Sequence, residues 1–308
     1  MAVERQPWRR AADTMNELPV VVGVDGSEPS LLAVDRAVDE AARHRLPLRL
    51  VHAFLWERYE DAHPSAALLR PSARMMASHT VAAAAQRAHR RNLRADVTTA
   101  VLPDDAVHTL LREAVHASLL VTGSRGRGEL KGLLLGSVGL AVAARAPCPV
   151  VVVRGDTAGR AGTHERILLG AGNPGSSGEA MRFAVREAGA RDCVLDVVRA
   201  WRCPAYEAVD HPAPAGKLSC HHEDEASALL DDLLTGALAT HPGVRVRRAT
   251  VEGPAPKVLV LRPAAADLVI VGAHRRRSHV GLQLGRTSHT LLHHATCPVA
   301  IVPCRHEV

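Results

Sequence analysis

The stretch LPVVVGVDGSEPSLLAVDRAVDEAARHRLPLRLVHAF, residues 18–54, returns later as ERILLGAGNPGSSGEAMRFAVREAGARDCVLDVVRAW, residues 165–201. Gly23 falls on Gly170 and Ala53 on Ala200 at one constant offset. Further along, SLLVTGSRGRG (118–128) returns as DLVIVGAHRRR (267–277), and APCPVVVVR (146–154) as ATCPVAIVP (295–303), with the offset drifting by only two residues. Self-similarity over a domain-sized period is a tandem duplication, so the fold of one copy is the fold of both.

Within the first copy, Val20–Val24 is a continuous β-branched run, as in a strand covered on both faces. A Gly-Ser turn follows, with Ser27 as N-cap, and then apolar positions at helical spacing: Leu32, Ala33, Ala37, Val38 and Ala41. Strands are expected at Leu48–Ala53, Ala95–Val101, Leu119–Thr122 and Val150–Val153. Helices are expected at Met75–Arg91, Ala106–His116 and Val138–Arg145. Strict alternation of short strands and helices predicts an α/β fold: two tandem, doubly wound, parallel five-stranded sheets with helices on both faces. In such sheets ligands bind beyond the carboxyl ends of the strands, where the strand order reverses. The loops after strands one and four are therefore the places to look.

Residues 1–17 read as a disordered extension, with Met15 a possible true start. Residues 18–154 form the first domain, 155–164 a polar linker and 165–308 the second domain. Composition narrows the function. The 308 residues carry a net charge of +6 and only seven aromatics, without a basic stripe interleaved with aromatic residues, which argues against nucleic acid. The apolar runs stay short of the roughly 18 residues of a membrane span, and the N-terminus has no apolar signal core, so the expected location is cytoplasmic. Six cysteines without a CxxC pair fit a reducing compartment and read as small buried hydrophobes.

The first copy's loop carries Gly123, Gly126 and Gly136-Ser137 in the pattern G-x2-G-x9-G-S. Glycines let backbone N–H groups approach a ligand with no Cβ in the way. Gly136-Ser137 opens a helix whose free N–H groups and positive end attract anions, and Arg125, Arg127 and Lys131 lie between. The arrangement suits a di- or triphosphate. Asp25, at the end of the first strand, is a carboxylate facing that loop. It would accept bonds from nucleotide hydroxyl or amino groups, or reach a phosphate-bound magnesium. Its plainer role is to hold the DGSEPS turn. Alone that role is preferred; beside the glycine loop, the ligand role is.

The glycine spacing, the VVGVDGS first strand and the APCPVVVVR last strand together resemble the universal stress protein family, in its tandem-domain form, over residues 18–303. The resemblance implies a flavodoxin-like, adenine nucleotide α-hydrolase-like fold. It also implies ATP across the tips of strands one, two and four of the first domain; Mg2+ is expected with its phosphates on the chemistry of the site. Asp25, a backbone contact at Ala53, and a phosphate loop of Gly123, Gly126, Gly136, Ser137 and Val138 would hold the ATP; the charges of Arg125, Arg127 and Lys131, read from the loop itself, would close over the phosphates. Pairing through the last strands, as homodimer or pseudo-dimer, is a family implication; a nucleotide-dependent affinity for a regulatory protein partner is the most economical role. No catalytic residue is assigned. There is no Walker-type lysine, so slow ATP hydrolysis is the most enzymatic reading. The alternative is an interaction protein with a relic site.

The second copy departs at each key position. Asp25 becomes Gly172, Gly126 becomes Arg275 and Ser137 becomes Arg286, although Gly272 and Gly285 remain and Thr287 follows. It is expected to keep the fold and lose the site. His274, Arg275, Arg276, Arg277 and His279 read as a solvated basic loop before an anion site. His289 and His293, four apart on a helix, share a face but lack a third ligand, so no metal site is assigned. Leu55–Ser72 and Arg202–Ser219 read as long loops near the mouths, one of them a candidate lid.

Overall fold

The computed structural model describes residues 18–55, 66–126, 135–203, 215–262, 265–273 and 284–304. The chain divides into two compact units at Val153/Arg154. In the first, the elements run β1 (Val20–Gly23), α1 (Glu28–His44), β2 (Leu48–Ala53), α2 (Ala66–Arg91), β3 (Val97–Leu102), α3 (Ala106–Ala114), β4 (Leu119–Gly123), α4 (Ser137–Arg145) and β5 (Val150–Val153). All strand pairs are parallel, in the order β3-β2-β1-β4-β5. The chain winds outward one way from β1 to β3, then returns to lay β4 on the other side of β1. That reversal opens a crevice between the tips of β1 and β4.

Burial explains the strand composition. Val20, Val21 and Val22 are fully enclosed, as are Leu48, Leu50 and Leu120, because helices cover both faces of the sheet. Each such Leu or Val stabilises the fold by about 1.5–3 kcal/mol relative to exposure. Ser27 caps α1 by accepting from the Ser30 N–H, and Asp105 caps α3 from the Val107 and His108 N–H groups. On the surface, α2 is tied to α1 by two bidentate ion pairs one turn apart: Arg87 on Asp35 and Arg91 on Asp39, with contacts of 2.6–2.8 Å. In both, the hydrogen bond to the carboxylate pushes the arginine's pKa up.

The second unit repeats this plan. It runs α5 (Thr157–Ala161), β6 (Arg166–Gly170), α6 (Pro174–Arg191), β7 (Val194–Trp201), α7 (Ala215–Leu238), β8 (Val246–Glu252), α8 (Ala255–Leu261), β9 (Leu268–Ala273), α9 (Arg286–His294) and β10 (Val299–Pro303). Its parallel order is β8-β7-β6-β9-β10. Duplication reaches down to single caps: α1 ends on Arg45 (φ 56) and α6 on Asp192 (φ 49), both left-handed non-glycine residues at equivalent positions.

Three segments differ from the sequence reading. The helix expected from Met75 begins at Ala66 and runs through Pro71, so the long loop after β2 is shortened from its C-terminal side. Likewise α7 starts at Ala215, within the second expected loop. The stretch read as a linker, 155–164, contains α5. Gly155 sets it off at φ +92, where a Cβ would come within 2.0 Å of the Thr296 carbonyl oxygen, and Asp156 caps it by accepting from the Gly159 N–H at 2.8 Å. Gly159 then packs against Thr296 and Cys297. Among the described residues, no helix is long and apolar enough to cross a membrane.

Candidate functional site

A cavity of about 370 Å³ opens at the carboxyl ends of β1, β2 and β4, within the size range of small-molecule sites. Of the expected site residues, Asp25, Ala53, Gly123, Arg125, Gly126, Gly136, Ser137 and Val138 all line it. Arg127 and Lys131 lie outside the described residues, as does the basic run 274–279 of the second copy.

One wall is apolar: Val51 and Ala53 from the end of β2, and Ala106 and Leu110 from α3. Helix α3 sits close to β1 because Gly23 has no side chain; a Cβ there would stand 2.9 Å from Leu110 Cδ1. The opposite wall is polar and belongs to the loop between β4 and α4. That loop is closed at its base by the Gly136 N–H donating to the Ser124 carbonyl at 2.8 Å. Gly136 is the N-cap of α4 and provides no side-chain cap, so the first N–H groups of the helix, with its positive end, border the cavity.

Asp25 holds the turn with one carboxylate oxygen and turns the other toward the glycine loop. Oδ1 accepts from the Ser27 N–H at 2.9 Å and from the Ser27 hydroxyl at 2.6 Å, which holds the turn into α1. Oδ2 is turned toward the glycine loop: a Cβ built on Gly126 would lie 2.5 Å from it. Gly123 is required for a different reason. Its missing Cβ would meet the Pro29 carbonyl oxygen at 2.6 Å, where the first turn of α1 crosses β4. Gly136 has ordinary room, its nearest neighbour being Arg125 Cα at 3.5 Å. The three motif glycines thus serve strand–helix packing, the Asp25 approach and an open helix start, respectively.

The structure adds residues that sequence reasoning missed. His52 is buried and its Nδ1 lies 2.6 Å from the Val24 carbonyl oxygen, bracing the tip of β1 against β2. Ser30 donates to the Ser27 carbonyl at 2.9 Å and lies within reach of the Asp25 N–H. Thr122, the one polar residue in the run LLVTG, lines the cavity from β4. Its counterpart in the second copy is Val271, and that polar-to-apolar switch was the available signal.

In the second unit the same backbone geometry carries different chemistry. Gly170 lies under Leu259 as Gly23 lies under Leu110. Where Asp25 would stand, the Gly172 carbonyl accepts a hydrogen bond from the Arg199 guanidinium, whose pKa is pulled down by burial against the opposing pull of Glu225. A cation therefore stands beside the position that holds a carboxylate in the first unit. Elsewhere in this unit, the His289 and His293 rings lie 4.4 Å apart between centroids, tilted by 33°. Cys193 and Cys304 are enclosed, and burial pushes both thiols up, away from reactivity.

Comparison with known proteins gives this geometry a family. The universal stress protein family model matches residues 18–154 and again 163–303. The universal stress protein Rv2005c of Mycobacterium tuberculosis is 32% identical over 288 residues, which cover 92% of this chain and 96% of its own. A universal stress protein of Mycolicibacterium smegmatis is 31% identical over 301 residues, 93% of this chain and 97% of its own. Among solved structures, a universal stress protein from Archaeoglobus fulgidus superposes with a TM-score of 0.70 at 16% identity, over 93% of this chain and 98% of that chain, a likeness of fold. Matched twice in tandem, and along nearly its whole length by relatives of the same extent, the chain belongs to the universal stress protein family.

Proposed function

We propose that the first unit binds an adenine nucleotide, ATP with Mg2+, at one site per chain, and that occupancy controls the protein's affinity for a regulatory partner. The observation that carries this reading is the cradle itself. Gly126 approaches Asp25 so closely that a Cβ there would require the carboxylate or the loop to shift, while the uncapped start of α4 lines the same cavity. Backbone N–H groups at a helix start, without a side chain in the way, are a phosphate site by geometry and charge. The apolar wall of Val51, Ala53, Ala106 and Leu110 suits a flat base, with the backbone at Ala53 at its edge. Asp25 keeps an oxygen toward the loop as acceptor for a sugar hydroxyl or a phosphate-bound magnesium.

Bound magnesium would screen phosphate charge; the chain's own groups hold and orient the nucleotide. We assign no catalytic residue, so binding rather than turnover is the proposed role, in a stress-response setting implied by the family. The second unit, with Gly172 and Arg199 at the equivalent tip, is assigned no nucleotide. Calorimetric titration of nucleotide-stripped protein with ATP and Mg2+ tests the reading. One site per chain, abolished by Gly126→Trp, is expected. Two sites would overturn the assignment of the second unit, and no binding by folded protein would leave an interaction protein with a relic site.

A further inference from the structure

Beneath the first turn of α4, the cavity reaches a notch between Thr122 on β4 and Gly139 on α4, both of which line it. Thr122 is 4% exposed, and its hydroxyl oxygen is buried with no hydrogen-bond partner among the described residues. A Cβ on Gly139 would stand 3.6 Å from that oxygen and 3.4 Å from the Gly123 carbonyl oxygen, so the absence of a side chain keeps space beside the hydroxyl. A buried hydroxyl with no partner lowers stability relative to a methyl of the same shape. The second unit inverts the arrangement: Val271 stands for Thr122, and buried Ser288 for Gly139.

Resting on the nucleotide reading above, we propose that Thr122 is a specificity-determining ligand contact: its hydroxyl donates a hydrogen bond to a phosphate oxygen of the bound nucleotide. The topology favours phosphate over base. Strand β1 lies between β2 and β4, so the apolar wall at Val51 and Ala53 is two strand spacings from Thr122, about 10 Å. Gly139 is the third residue of α4, which puts the hydroxyl beside the helix turn whose positive end draws the anion. The hydroxyl that costs stability in the ligand-free protein becomes satisfied when a phosphorylated ligand enters.

The test compares wild type, Thr122→Val and Thr122→Ser as full-length, nucleotide-stripped proteins, titrated calorimetrically with ATP, AMP and adenosine. Thr122→Val, isosteric and without a donor, is expected to weaken ATP and AMP by about 10- to 100-fold, the effect of losing a hydrogen bond to a charged group. Thr122→Ser keeps the donor and is expected to restore most of the affinity. The ligand-free melting temperature of Thr122→Val is expected to equal or exceed that of wild type. Unchanged ATP and AMP affinity in Thr122→Val overturns the assignment, as does an equal loss for adenosine, which would place the contact on sugar or base. A lower ligand-free melting temperature also overturns it, because the hydroxyl would then have a partner within the protein. Wild-type protein that binds no nucleotide overturns the proposed function itself, a result separate from these three.

Discussion

The contact between Gly126 and Asp25 can be tested without any ligand, through a Gly126→Ala substitution. The added methyl would lie 2.5 Å from Asp25 Oδ2, about an ångström inside ordinary contact, so the carboxylate or the loop must move. Asp25 resists because Oδ1 is held by the Ser27 N–H and hydroxyl at 2.9 and 2.6 Å. Turning the carboxylate away weakens one or both bonds to a charged acceptor, and a part-exposed site recovers some of the loss from water. The cost is about 1–2 kcal/mol. Asp25→Ala removes the obstacle together with the two bonds, so in that background Gly126→Ala should cost close to nothing. The pair should therefore couple by about 1–2 kcal/mol in a double-mutant cycle. Differential scanning calorimetry of wild type, both single mutants and the double mutant reads this, with the transition displaced by Asp25→Ala identifying the first unit. Additivity within about 0.5 kcal/mol would show that the methyl never meets Asp25, and the account of Gly126 would fail.

Two further expectations concern the second unit. The Arg154 guanidinium donates to the carbonyls of Leu291, Leu292 and His293, closing the end of α9. Arg154→Ala should destabilise this unit by about 2–3 kcal/mol, and Arg154→Lys should recover little, because an ammonium cannot reproduce the planar fork; calorimetric midpoints check both. Burial, then the neighbouring charges of His289, His294 and Arg154, hold the His293 imidazole below its ordinary value of 6.5. The unfolded chain then binds the proton more readily. The stability linked to this group is complete above pH 6.5 and is lost as pH falls through the lower folded value. Urea denaturation at about pH 7.5 and about pH 5.5 should show this loss, and His293→Gln should reduce it.

What the sequence determined by itself is the architecture and where the cavity opens. Duplication, Val-rich runs and helical spacing follow from local periodicity, and parallel α/β topology puts ligands at strand tips whichever residues stand there. The glycine spacing then marked the loop, and of the nine residues expected there and at the tips of β1 and β2, eight line one cavity. The start of α2 was illegible because Pro71 reads as a helix boundary, while the backbone runs helically through it from Ala66. The reasons behind the glycines were equally hidden. Gly123, Gly126 and Gly136 are identical letters, yet one is pressed by Pro29, one by Asp25 and one by nothing closer than 3.5 Å. Thr122 passed for a strand residue until the fold set it in the cavity lining, its hydroxyl beside the missing side chain of Gly139. Spacing along a chain fixes which residues recur on a face. Which atoms meet across elements depends on how the strands and helices pack, and for that the tertiary structure was needed.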